Sequence, residues 1–185
     1  KEIDHALTML SDITVEGNIK DIGGNLTGDN NVSIDGNIKN VDSVIFGNNS
    51  KISGSYKNIE HNIFIGRSGY IGGDMKDIGS NLTILRETSV QSTIEDISGV
   101  VDIGNDSKID GNIKDVDDRL VLKQDVLVNG NIKGVEGKVS TGDRTEVLGS
   151  YKNIQSSVRI GKLNIVDGDI KEINGDLTVM KNTRF

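Results

Sequence analysis

The chain has 185 residues and a net charge of −7, with 26% charged and only 3% aromatic residues and no Trp, Pro or Cys. This composition excludes disulfide and thiol chemistry, and it excludes the surplus of Lys and Arg that binding to nucleic acid phosphates requires. Apolar character comes from Ile, Val and Leu amid abundant Gly and Asn, which suits short strands joined by tight turns, and no apolar run approaches the ~18 residues of a membrane-spanning helix.

From the N-terminus, Lys1-Glu2-Ile3 followed by Leu7-Thr8 repeats near the other end as Lys171-Glu172-Ile173 followed by Leu177-Thr178. The chain therefore begins partway through a repeat. Residues 1–185 are expected to form a single domain that is part of a longer chain or a polymer subunit. The string Gly-Asn-Ile-Lys, or a near variant, then recurs at Gly17, Gly36, Gly54, Gly73, Gly111, Gly130, Gly149 and Gly168, with spacings of 19, 18, 19, 38, 19, 19 and 19. Ser92 fills the doubled interval, so the copies stay in register, and the one shortened coil lies between Ile34 and Lys51. A fixed period of this length marks a stack of coils.

Within each coil four apolar columns follow in order. They run through Val15, Ile34 and Ile52; through Ile19, Ile38 and Tyr56; through Ile22, Val41 and Ile59; and through Leu26, Ile45 and Ile63. Spacings of two are strand spacings with alternate residues on one face, and gaps of three or four are expected to be corners. At about 3.3 Å per residue one coil has a perimeter of roughly 60 Å, enough for three short sides. The predicted fold is all-β, a single-stranded parallel β-solenoid of triangular section with nine to ten coils. Right-handed crossover is the default for parallel strands.

On the surface, Lys20, Lys39, Lys57, Lys76, Lys114, Lys133, Lys152 and Lys171 form a column interrupted by Glu95. It reads either as a stripe for an anionic surface or as a solvated corner neutralised by neighbouring Asp21, Asp77, Asp96, Asp115 and Glu172, with Glu95 relieving repulsion between Lys76 and Lys114. Phe46 and Phe64 are expected to share an outward column on adjacent coils, as a lateral contact or as packing beneath a turn. His5 and His61 stand three coils apart, which argues against a metal centre or a His-dependent triad. Carboxylates recur on every coil and single out no catalytic pair, so no catalytic residue, cofactor or metal is expected, and a polysaccharide-binding or lyase β-helix is only a minor alternative. The terminal apolar residues Ile3, Leu177 and Phe185 mark the expected self-association surfaces, since open solenoid ends recruit further strands.

The segments Val101-Asp102-Ile103-Gly104, Ile109-Asp110-Gly111-Asn112-Ile113 and Val128-Asn129-Gly130-Asn131-Ile132 resemble the bactofilins. That resemblance implies a right-handed triangular β-helix that polymerises end to end without nucleotide, a structural scaffold of the cytoplasm. The phrases Gly-Asn-Leu-Thr at Gly24 and Gly-Asp-Leu-Thr at Gly175 resemble secreted adhesins of the filamentous-haemagglutinin type. They imply instead the stalk or repeat region of a surface fibre, with a cell-surface or cell-wall partner.

Overall fold

A computed structural model describes residues 3–185, and within them β-strands of two to four residues follow one another without a helix. One coil illustrates the rule. Its strands are Ile94–Ile97, Val101–Ile103 and Lys108–Ile109, and each pairs in parallel with the strand 19 residues further on: Ile94 with Ile113, Val101 with Leu120, Ile109 with Val128. Repetition along the chain builds one sheet of ten strands and two of nine, with neighbours drawn from consecutive coils. The three sheets form the sides of a triangle around one aliphatic core. Ten strands at about 4.8 Å apart give a rod roughly 45 Å long.

Alternation explains the ten-stranded sheet: Val101 and Ile103 point inward and are fully buried, while Asp102 between them faces out. The sheet that carries the lysines works differently. Ile94 and Ile97 are three apart in one strand, yet both are buried. The cause is Asp96, which has φ 55°; Asp21, Asn40, Asn58, Asp77, Asp115, Gly134, Asn153 and Glu172 have the same left-handed conformation in their coils. One left-handed residue redirects the strand so that the residues before and after it share a face, and the ladder skips it, pairing Met75 with Ile94 and Ile78 with Ile97. The three-residue gap is thus a kink inside a strand rather than a corner.

A second left-handed series, Asp12, Asn31, Asn49, Ser68, Glu87, Asp106, Asp125, Arg144, Leu163 and Asn182, makes the corner that leaves the ten-stranded sheet. Asn and Asp tolerate this conformation because their short polar side chains bond locally, whereas at Leu163 it costs about 1–2 kcal/mol. Apart from Gly17, whose φ is 125°, the glycines of the Gly-Asn-Ile-Lys motif answer a different need. A Cβ on Gly130 would lie 2.3 Å from the carbonyl oxygen of Gly111 in the preceding coil, so close approach, not φ, demands glycine there. Beside it the Asn column stitches coils together, Asn112 Oδ1 accepting from the Asn131 amide and Asn131 Oδ1 from the Ser150 amide, both at 2.9 Å.

The core also holds a polar column that the aliphatic pattern does not reveal. Ser50, Thr88, Ser107, Thr145 and Asn164 are all 1% exposed, two residues before the Val/Ile column of the short-strand sheet. Their side chains satisfy turn backbone inside the corner: Ser50 Oγ donates to the Gly47 carbonyl at 3.1 Å, Thr88 Oγ1 to Gly66 at 3.2 Å and Thr145 Oγ1 to Lys123 at 2.9 Å.

The shortened coil loses its residue at one corner. Two residues separate Val41 from Val44, where three separate Ile22 from Leu26 and Ile59 from Ile63. Register then follows Val44 with Leu26 and Ile63, so Val44 rather than Ile45 takes the inward column. The expectation for Phe46 is overturned for the same reason. Phe46 is fully buried and pairs with Gly28 and Ile65, while Ile45 faces out beside Phe64. Gly28 leaves the room that the Phe46 ring fills, since a Cβ on Gly28 would stand 2.4 Å from that ring.

Candidate functional site

Three surfaces of the rod bring together residues that could act outside the fold. The first comprises its two ends. At one end Ile3, Leu10 and Ile13 are exposed, and among the described residues the edge strand Leu7–Met9 pairs only with Leu26–Gly28 on its inner side. Ile3 itself makes a lone bridge to Ile22. At the other end Leu177 and Val179 lie exposed in the edge strand Leu177–Val179. Phe185 follows the bridge between Ile165 and Arg184 and is 66% exposed. Each end therefore presents backbone donors and acceptors of an unpaired edge together with aliphatic side chains, the combination that accepts another strand.

The second surface is the lysine stripe, which the structure places in register along one sheet from Lys20 to Lys171. Its charges are answered by a diagonal rule. Lys57 reaches Asp77 at 3.9 Å, Lys76 reaches Asp96 at 3.1 Å and Lys152 reaches Glu172 at 3.7 Å, each pairing with the left-handed residue of the next coil. Glu95 lies between Lys76 and Lys114 and pairs with both, the relief of repulsion expected from the sequence. Hydrogen bonds from Lys114 and Lys76 hold the Glu95 carboxyl below its ordinary range and raise both ammonium groups above theirs. Toward the far end, Lys114, Lys133, Lys152 and Lys171 line a shallow groove with Asn112, Asn131 and Ser150. Lys114, Lys152 and Lys171 have carboxylate partners there, while Gly134 and Asn153, like Asn40 and Asn58, stand where Asp77, Asp96 and Asp115 lie in the middle coils.

The third surface was not visible in the sequence. At the shortened corner the carboxylates of Asp42 and Glu60 and the imidazole of His61 meet, their potential ligand atoms all within 4.8 Å of one another. His61 Nδ1 is hydrogen-bonded to Asp42 Oδ1. The groove beside it is acidic, lined by Glu60, Asp77, Asp96, Asp115 and Asp117. Of the other residues singled out, Phe64 lies half-exposed beside Ile45 on the outer face of the ten-stranded sheet, and Phe46, inside the core, has no part in any surface. No family model, no curated protein and no solved structure matches this chain.

Proposed function

We propose that this solenoid is a structural, filament- or scaffold-forming element of bactofilin-like type that associates with further copies of itself end to end. The observation that carries the reading is the uniform stack of coils, whose outermost strands Leu7–Met9 and Leu177–Val179 are of the same kind as the strands inside the three parallel sheets. Because the outermost coils repeat the register of their neighbours, a second copy adds strands to the sheets as though it were another coil. The aliphatic residues would then lose their contact with water at about 25 cal/mol per Å² of apolar surface. On this reading the chain binds itself and catalyses nothing.

Sedimentation velocity of the purified chain across a concentration series tests it. Association that grows with concentration, and that is suppressed by Ile3→Lys or Leu177→Lys without loss of the β spectrum, is the expected result. A strictly monomeric parent at high concentration overturns the proposal. Cleavage of an acidic polysaccharide that disappears when a single Asp is replaced would overturn the non-enzymatic part. The second reading, the stalk of a secreted surface adhesin or fibre, draws on the uniform stack of coils and on the exposed lysine stripe as a contact for an anionic wall polymer.

A further inference from the structure

The single register break in the rod coincides with one of the chain's two histidines. In an unbroken corner, a residue of one coil faces its equivalent 19 residues on. At Val41–Val44 one residue is missing, so Asp42 faces a two-residue step. The amide of Glu60 donates to the Val41 carbonyl at 3.0 Å and that of His61 to the Asp42 carbonyl at 2.8 Å, which sets both side chains beside the Asp42 carboxylate. Coils two and three steps further on carry Ser80 and Gly99 near this corner, residues that bring no ligand of this strength.

We propose that Asp42, Glu60 and His61 form a binding site for a divalent transition ion of the zinc type. The donor set argues for this class. One imidazole nitrogen and two carboxylate oxygens suit zinc, which accepts three protein ligands and leaves a fourth tetrahedral position to water, whereas calcium and magnesium require more oxygens and gain little from imidazole. Coordination through Nδ1 would replace the hydrogen bond between that atom and Asp42 Oδ1. Neither carboxylate takes part in an ion pair other than the one between Asp42 and His61, among the described residues, so coordination breaks no lysine contact. The acidic groove that begins at Glu60 and continues through Asp77, Asp96 and Asp115 adds a field that concentrates cations at the corner. The site is independent of end-to-end association, and either can fail without the other.

The test is zinc titration of the untagged chain by competition with a chromophoric chelator at pH 7.5, with magnesium and calcium in excess. The expected result is one zinc per chain, weakened at least tenfold in His61→Asn and in Asp42→Asn, unchanged in His5→Asn, and unaffected by magnesium or calcium. A decisive variant inserts one Gly between Asp42 and Ser43. It restores the three-residue corner, keeps all three ligands in the chain and should weaken binding to the level of His61→Asn. Binding that survives either the insertion or His61→Asn, or no saturable binding in the parent, overturns the proposal. Circular dichroism of each variant confirms that the rod is intact. Should the insertion disturb it, the substitutions at the half-buried Asp42 and the exposed His61 still decide the question.

Discussion

Phe46 and Phe64 show how much one residue of slippage matters. Both belong to an apolar run in a strand, Val44–Phe46 and Ile63–Ile65, yet one ring closes the core over Gly28 and the other looks outward. Phe46→Ala is expected to lower stability by about 3–5 kcal/mol through a cavity, and Phe64→Ala by less than about 1 kcal/mol, both read from urea unfolding. Equal costs for the two would place Phe46 on the surface after all. The sequence could not separate them, because Val44, Ile45 and Phe46 are all apolar, and placing the missing residue before Val44 or after Phe46 leaves a plausible pattern either way. Tyr56 shows the opposite problem, a residue placed in its column from the start whose hydroxyl is buried with no hydrogen-bond partner among the described residues. Burial pushes its pKa well above the ordinary value. A folded-state pKa raised above the unfolded one gives stability that is complete below about pH 10 and lost as the pH rises beyond it, since unfolding then releases a proton. Tyr56→Phe should be neutral or stabilising by about 1 kcal/mol at pH 7 and should shift alkaline unfolding to higher pH. A clear loss of stability at neutral pH would mean that the hydroxyl has a partner.

Single strands and corners repeat what the residues do. The four-residue strands of the lysine sheet owe their shape to left-handed residues such as Asp77, Asp96 and Asp115, and of these Asp77 and Asp96 supply carboxylates to the lysines one coil back. Acidic side chains at an exposed position look ordinary in a sequence, so their backbone role was illegible, although the three-residue spacing from Ile19 to Ile22 was its trace. The pairing of Glu95 with Lys76 and Lys114 was legible, because the substitution of one column member by its opposite charge has an electrostatic purpose. Glu95→Gln should cost about 1 kcal/mol at pH 7, the upper range for pairs this open to water. The Glu95 carboxyl is depressed in the folded state, so its contribution is present above the unfolded value near pH 4.3 and fades as pH falls through the folded one. Melting curves of parent and variant should therefore converge as the pH falls below the ordinary carboxylate range. A difference that stays constant with falling pH would assign the effect to packing.

For the whole molecule, the architecture followed from four columns of β-branched and other apolar residues at one period, since each coil buries its inward side chains only against its neighbours. What stayed hidden were the features that depend on how coils face each other. The polar column of Ser50, Thr88 and Thr145 lies inside but is written in residues that usually lie outside, and the meeting of Asp42, Glu60 and His61 depends on one missing residue. The parallel pairing has a further consequence for how the rod carries force. Its backbone hydrogen bonds join coil to coil, as from the Ile113 amide to the Asn131 carbonyl at 2.9 Å, and so run along the axis. Tension applied along that axis loads successive ladders in series, and the rod gives way by peeling one coil at a time, each releasing roughly 60 Å of chain. Load across the axis meets all three sheets together, each spanning nine or ten strands. A rod of this construction resists bending better than it resists tension along its axis.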